Sequence, residues 1–178
     1  SGADLNSAYL RYATLNDANL NSADLRNADL TYAMLTGADL NGAILSDAML
    51  DGANLTYATL TVTDLSNAGL SNADLSGADL SGANLTYATL TGADLSGADL
   101  ENVDLIGANL TGVTLSGLDL NSANIQEATL NESLLIGTNL SGATLDGTYL
   151  DATDLQNADF IGASLREVSF LRANLEVH

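Results

Sequence analysis

The sequence predicts an all-β solenoid in which short extended segments alternate with tight corners. Three observations predict it, and the first is a five-residue word that repeats without a break. Every fifth residue from Leu5 to Leu175 is Leu, except Ile125, Phe160 and Phe170. A small residue, usually Ala, stands two positions before each of these, and Gly, Asn and Asp concentrate two positions after. Each word therefore supplies one short segment and one corner.

The Ala and Leu of each word account for the extended segment. They are two residues apart, so in an extended chain both side chains point to one side and the residue between them points away. A continued period of five fits neither the 3.6-residue period of a helix nor the two-residue period of a strand. We therefore expect stacked inward columns of Leu and of Ala, with the intervening residue facing solvent.

The two residues after each Leu must turn the chain. Of the 16 Gly, 15 occupy the second of these positions, and Gly69 is the exception. Gly, Asn and Asp tolerate the positive φ that a type II turn needs at its third residue. Tyr12, Tyr32, Tyr57 and Tyr87 occupy the same position. For these tyrosines we expect a different turn type.

The residues alone leave open how many words form one coil. Tyr12 and Tyr32 are 20 residues apart, which favours four, but GANLTYATL recurs at Gly52 and Gly82, an offset of 30 that fits three or six. The words ADLSG, ADLTY and ANLTG resemble the A(D/N)LXX motif of the pentapeptide repeat family over essentially the whole chain, most closely its cyanobacterial members. The resemblance implies a right-handed quadrilateral parallel β-helix with four words per coil. Residues 1–178 would then be one continuous body of nearly nine coils.

The charge is strongly one-sided, with 23 Asp and Glu against four Arg and a formal net charge of -19. The arginines lie near the ends, so residues 27–165 carry 18 carboxylates and no Lys or Arg. Nucleic-acid binding requires cations that meet phosphates, and we exclude it here. There is no run of about 18 apolar residues, so we expect no membrane span.

The composition gives no support for catalysis. The only His is terminal, and Cys and Lys are absent, so no nucleophile has an attached base. Paired carboxylates arise wherever the word places Asp before Leu. Their spacing matches neither an EF-hand nor a GGxGxD calcium repeat. We expect no enzymatic activity, no catalytic residue, no cofactor and no metal site.

Acidic columns are the feature on which a functional hypothesis rests. With four words per coil, residues 20 apart stack above one another. The three columns are Asp39, Asp79, Asp99, Asp119 and Asp159; Asp4, Asp24, Asp64 and Asp104; and Asp74, Asp94 and Asp154. We predict that these columns contact a protein partner and that the chain is a structural or interaction scaffold.

An alternative function from a different class is DNA mimicry. The words are similar to those of the quinolone-resistance members of the family. Those members act as DNA mimics in the DNA-binding saddle of DNA gyrase, and the resemblance implies the same role here. DNA carries one charge per about 1.7 Å, so a length of about 33 Å bears roughly 20 charges. Residues 27–165 carry a similar number of carboxylates. The sequence does not identify the partner or the biological role.

Residues 160–178 depart from the word and form a cap or a dimerisation region. They contain Phe160, Phe170, Arg166, Arg172 and an outward-facing Leu171. Family members often dimerise through the C-terminal coil, so the resemblance implies a homodimer. The alternative is a frayed end at residues 176–178.

Large residues also enter the Ala columns in the second half of the chain, namely Val103, Val113 and Leu118. The bulk of Leu118 must be accommodated by its neighbours or by local widening of the coil.

Cysteine is absent, which leaves the redox compartment undetermined. Ser1 stands where an initiating Met would, which suggests a processed or engineered start. We favour a cytoplasmic location, with a removed signal peptide as the alternative.

Overall fold

The computed structural model describes residues 2–176 and is a right-handed quadrilateral β-helix. Its parallel bridges join residues 20 apart, from Asp4↔Asp24 to Asp154↔Asn174. Four words therefore form one coil, and the alternatives of three or six are wrong. Within residues 2–176 each extended element is a single bridging residue, at positions 4, 9, 14 and so on, and there is no helix. That part of the chain consequently contains no helix suited to crossing a membrane.

The same backbone hydrogen bonds recur in each word. The N–H of Leu75 donates to the carbonyl of Asp94 in the next coil at 2.8 Å, and the N–H of Asp74 donates to Ala53 in the previous coil at 2.9 Å. The N–H of Ala78 closes the corner onto the carbonyl of Leu75 at 3.0 Å. Adjacent coils thus satisfy the polar groups that a buried backbone would otherwise leave unpaired.

The core consists of the predicted columns of Leu and Ala. The Leu residues from Leu25 to Leu90 are fully buried. Five hydroxyl residues replace Ala in the inward columns and are also buried: Thr63, Ser133, Thr138, Thr148 and Thr153. Each donates to the carbonyl of a column Leu or Ile, as Thr63 Oγ1 does to Leu40 at 2.9 Å. These hydroxyls therefore avoid the cost of an unpaired buried polar group.

The corner residue is left-handed in every word, tyrosines included. Its φ is 57° at Tyr12 and 59° at Tyr87, close to the 63° of Gly107. The expectation of a different turn type for these tyrosines is wrong. The turn is closed by the inward residue that follows the corner, as Ala33 N–H does by donating to the carbonyl of Leu30 at 2.9 Å. Asn102 keeps a φ of 55° although its N–H pairs with no described residue of the next coil. The turn itself therefore fixes the conformation whatever residue stands there.

Tyrosine rings at the corners lie over the residue 20 positions later. A Cβ added to Gly52 would come 2.3 Å from the ring of Tyr32, and one on Gly107 would come equally close to the ring of Tyr87. Tyr12 instead stacks on Tyr32, with ring centroids 5.4 Å apart. Glycine at these positions therefore makes room for the ring.

The C-terminal end of the core is covered only in part. Phe160 and Phe170 are half-buried and pack against the core, whereas Leu171 is exposed. Arg166 and Arg172 are also exposed. The predicted region extends to residues 177 and 178, which lie outside the described residues.

Candidate protein-interaction surface

The β-helix has four faces, each identified by one outward residue. The Asp39 face comprises positions 19, 39 and onward to 159, and the Met49 face comprises positions 9, 29 and onward to 169. The Asp64 face comprises positions 4 to 164, and the Asp74 face positions 14 to 174. Because four words complete a coil, the Asp39 face is opposite the Met49 face.

The structure places every predicted acidic residue on its expected column. Asp39, Asp79, Asp99, Asp119 and Asp159 share the Asp39 face; Asp4, Asp24, Asp64 and Asp104 share the Asp64 face; Asp74, Asp94 and Asp154 share the Asp74 face. Asn residues interrupt the columns and donate to the neighbouring carboxylate, as Asn84 Nδ2 does to Asp64 Oδ1 at 3.1 Å. Such pairs reduce the repulsion between like charges in a column.

The outward carboxylates also hold their own corners. Asp79 Oδ1 accepts a hydrogen bond from the N–H of Ser81 at 3.0 Å, and Asp119 accepts one from Asn121 at 2.9 Å. An outward Asn makes the same bond, since Asn109 Oδ1 accepts from the N–H of Thr111 at 3.1 Å. An Asp→Asn substitution at these positions therefore removes the charge and retains the corner.

Hydrogen bonding lowers the pKa of several of these carboxyls. The Ser96 side chain holds the pKa of Asp94 below its usual range, mainly through a hydrogen bond. Hydrogen bonds from Arg26 lower the pKa of Asp24 to about 2. Near the N-terminus a carboxylate is thus paired with a cation, whereas no Lys or Arg lies close in sequence to Asp94.

The Met49 face carries no carboxylate at its outward positions from 49 to 149. Its outward residues from position 49 to 149 are Met49, Gly69, Thr89, Asn109, Thr129 and Tyr149. Asp29, on the same face, is buried, accepts a hydrogen bond from Thr31 and lies 3.9 Å from Arg11 Nε.

Carboxylates reach the Met49 face from its corners, since Asp51 lies beside Gly69 and Asp151 accepts a hydrogen bond from Ser169 Oγ. The Met49 face therefore lacks an acidic column but is not free of charge. The sequence analysis did not single out this face, although the positions 20 apart already contained it.

The backbone pairing between residues 92–102 and residues 111–121 is interrupted. We call this gap the seam, with residues 92–102 as its lower lip and residues 111–121 as its upper lip. By the regular pattern Leu95 and Leu100 would donate to the carbonyls of residues 114 and 119, but among the described residues neither bond forms. The bridge between residues 99 and 119 is likewise missing, whereas Asp94 and Thr114 remain bridged. On the other two faces pairing is intact, with Leu90 N to Asn109 O at 2.7 Å and Leu105 N to Asn124 O at 2.8 Å. The two coils are thus parted at the Asp39 face and only loosened at the Asp74 face.

The inward residues of the upper coil explain the position of the seam. In residues 105–124 the Ala columns hold Ala108, Val113, Leu118 and Ala123. Pairing is intact beside the two alanines, loosened beside Val113 and open beside Leu118. Because Leu118 stacks above Ala98, its extra volume separates the coils at that point. The local widening considered for Leu118 is present.

The seam forms a cleft of about 460 Å³. Its lining residues are Gly97, Ala98, Asp99, Leu100, Glu101, Gly117, Leu118 and Asp119. Asp94, Asp99 and Asp119 are exposed beside the cleft, whereas the other predicted column residues from Asp39 to Asp159 are half-buried. Residues 2–176 contain no group of acidic or His side chains arranged to hold a metal ion.

A family model described as pentapeptide repeats matches the chain in eight copies. The matched ranges are 3–42, 33–67, 43–82, 63–102, 78–117, 115–151 and 145–176, which together span almost the whole sequence. A comparison with curated proteins finds no match.

Solved structures of pentapeptide repeat proteins are similar to the chain. HetL, which is involved in heterocyst differentiation regulation in the cyanobacterium Nostoc sp. strain PCC 7120, is 36% identical over 95% of this chain and 81% of that one, with a TM-score of 0.40. A trypsin-treated form of QnrB1, a plasmid-mediated fluoroquinolone resistance protein, is 21% identical over 91% and 85%, with a TM-score of 0.70. The protein alr5209 from Nostoc PCC 7120 is 42% identical over 57% and 69%, with a TM-score of 0.25.

The likeness to QnrB1 concerns the fold, whereas the family match concerns the repeated word itself. The right-handed coil of four words, the buried Leu columns and the matched repeats agree with one another. The chain therefore belongs to the pentapeptide repeat family.

Proposed function

We propose that the chain is a non-enzymatic scaffold that presents its acidic columns to a basic region of a protein partner. The observation that carries this proposal is that Asp residues stack at the outward positions of the Asp39, Asp64 and Asp74 faces, where like charges are bridged neighbours, as Asp79 and Asp99 are. Carboxylates that served solubility alone would gain nothing from being stacked in columns. A column of like charge steers a basic partner towards the face that carries it.

The energetics of the columns support the same proposal. Two unit charges about 5 Å apart repel by about 1 kcal/mol even in water. Asp79 and Asp99 are bridged neighbours, and no Lys or Arg occurs between residues 27 and 165. A basic partner would offset this repulsion, so binding would relieve a cost that the free chain carries.

A charge-matched comparison tests the scaffold proposal. The triple variant Asp39→Asn, Asp79→Asn, Asp159→Asn neutralises the Asp39 face away from the seam, and Asp4→Asn, Asp64→Asn, Asp104→Asn removes the same charge from the Asp64 face. Each chain, immobilised at equal density, is used to capture proteins from a bacterial lysate at physiological salt. We expect a defined set of proteins to be lost only with the first variant. Equal capture by both variants would contradict a specific role for the Asp39 face.

DNA mimicry directed at DNA gyrase is the second candidate, and the charge density of residues 27–165 favours it. The test is a gyrase supercoiling assay with excess protein. Loss of supercoiling is expected if the chain takes the place of DNA, and Asp79→Asn with Asp99→Asn and Asp119→Asn should relieve it. Unchanged supercoiling at high protein concentration would remove this candidate.

We also propose a homodimer through the C-terminal coil. Ile161 and Leu171 are 77% and 62% exposed there, and Phe160 and Phe170 cover the core end only in part. An open end of stacked segments leaves hydrogen-bonding groups and apolar surface that a second copy would cover. Light scattering should give twice the chain mass for the natural protein and the monomer mass for Phe160→Ser with Phe170→Ser. A natural protein that is already monomeric would contradict the dimer.

A further inference from the structure

We propose that the seam is a docking site for an extended peptide segment that alternates apolar and basic residues. The segment would lie between the two lips and pair its backbone with theirs. Among solenoid coils the usual place for such pairing is the open end, but here an open edge lies in the middle of the stack. The proposal does not require the scaffold function of the Asp39 face.

The first support is the set of unpaired backbone groups on both lips. The N–H groups of Gly97, Leu100 and Asn102 on the lower lip have no hydrogen-bond partner among the described residues. On the upper lip the same holds for the N–H group of Asp119, whereas Thr114 remains bridged to Asp94. In the regular coils each equivalent group is paired, as Leu80 N is with Asp99 O at 2.8 Å. Unpaired edges of this kind are templates for an added strand.

The second support is the distribution of side chains around the cleft. Its floor contains Ala98, Leu100 and Leu118, which are apolar and almost fully buried. Its rim carries Asp99 and Asp119, both exposed. An extended peptide presents alternate side chains to opposite sides. Apolar residues would therefore face the floor and Lys or Arg would face the carboxylates.

The third support is the way in which the seam is held open. Pairing stays intact at Leu90 with Asn109 and at Leu105 with Asn124, and Asp94 remains bridged to Thr114, so the coils are joined on three faces and parted on the Asp39 face. The peptide would not have to break existing hydrogen bonds on the Asp39 face. A site that is already formed binds at lower cost than one that must be opened.

The test uses the full chain and a synthetic heptapeptide of alternating Val and Lys, blocked at both ends, with binding measured by calorimetry at physiological salt. We expect Leu118→Ala to let the seam close and to weaken binding by about tenfold or more. Val103→Ala, which shortens a side chain in an intact part of the Ala columns, should change affinity by less than about twofold. Both variants keep the charge of the chain.

Two further measurements separate backbone pairing from attraction by charge. The carbonyls of Ala98, Ser116 and Asp119 also accept no backbone hydrogen bond from the described residues, so they need donors from the peptide. A peptide of the same sequence with methylated backbone nitrogens keeps its charge but cannot donate to them, and we expect natural protein to bind it about tenfold more weakly or worse. The variant Asp39→Asn, Asp79→Asn, Asp159→Asn should bind the unmodified peptide nearly as well as natural protein. If this variant binds the peptide but does not lose any captured protein in the lysate experiment, that result contradicts only the scaffold proposal.

Three results would each overturn the docking site. They are no binding of the Val-Lys peptide to the natural chain, equal binding by Leu118→Ala, and equal binding of the methylated peptide. A Val-Glu peptide that binds as tightly would contradict the acidic rim as a determinant. The methylated peptide is tested on natural protein, so the proposal stays open to refutation even if Leu118→Ala does not fold.

Discussion

Two successive pairs of coils show what keeps the β-helix closed. Residues 65–84 pair with residues 85–104 along all four faces, and Leu75 N donates to Asp94 O at 2.8 Å. One coil further along, Leu95 and Leu100 have no such partner among the described residues. The outward residues and the column leucines of the two pairs are alike. The comparison indicates that the inward Ala columns set the distance between coils.

The Ala columns accept one isolated Val without loss of pairing between coils. They do not accept a Val and a Leu in consecutive words. Val103 stands in a closed part of the coil, since Asp104 N still donates to Ala83 O at 3.0 Å. Val113 and Leu118 occur in consecutive words, and hydrogen bonds between the coils are lost beside both, although Asp94 and Thr114 remain bridged beside Val113. Close-packed interiors absorb a small excess volume by slight shifts, but a larger one must displace backbone.

The largest expected effect contrasts two leucines. Leu75→Ala removes a fully buried column residue and should lower the free energy of unfolding by about 2 to 5 kcal/mol. Leu118→Ala should cost much less or even stabilise, because each re-formed hydrogen bond returns about 0.5 to 1.5 kcal/mol. Urea denaturation of both variants measures the difference. Equal losses would contradict the assignment of Leu118 as the residue that parts the coils.

A second substitution attempts to create a seam where none exists. Ala78→Leu places a large residue in a closed Ala column and should cost about 1 to 3 kcal/mol. The strain should part the coil from the one before it, exposing the bond from Leu60 N to Asp79 O, which is 2.7 Å long. Hydrogen exchange at the Leu60 amide provides the measurement. Full protection there would show that the column accepts a leucine.

A smaller expected effect distinguishes two costs of replacing a corner glycine by Ala, namely the clash with a neighbouring side chain and the strain of a positive φ. Gly107 and Gly137 have φ of 63° and 65°, so Ala is strained equally at both. Only at Gly107 does a Cβ meet a neighbour, the Tyr87 ring at 2.3 Å, since nothing lies within 4 Å at Gly137. Gly107→Ala should therefore be about 1 kcal/mol less stable than Gly137→Ala, because the ring must move. Equal melting temperatures would mean that the ring moves aside freely.

The smallest expected effect concerns the N-terminal coils, where a carboxylate is paired with Arg, in contrast to residues 27–165, which contain no Lys or Arg. In Arg26→Gln the pKa of Asp24 should rise from about 2 towards its usual 3.8, because the hydrogen bonds from the guanidinium are lost. In natural protein the depressed pKa contributes stability above about pH 4 that is lost as pH falls towards 2. The variant should lose less stability over that range. An NMR titration of the Asp24 carboxyl, with Asp94 as an internal reference, measures the shift.

Much of the fold was predictable because one word carries all of its constraints. Inward Leu and Ala follow from the two-residue spacing, and the acidic columns follow once four words form a coil. The tyrosine corners were predicted wrongly because intrinsic preference was weighed without the repeated turn, which requires a positive φ at that position whatever the residue. For Leu118 the sequence showed the excess volume, but not whether the side chain or the backbone would yield. That outcome depends on the packing of Val113 in the preceding word.

Amide hydrogen exchange tests most directly whether the Ala columns set the pairing between coils. In natural protein the amides of Leu95, Gly97 and Leu100 should exchange rapidly, while those of Leu75 and Leu80 exchange slowly, because only the latter are hydrogen-bonded. In Leu118→Ala the amides of Leu95 and Leu100 should become as slow as those of Leu75 and Leu80. Equal protection at all five amides in natural protein, or no gain in Leu118→Ala, would contradict the account.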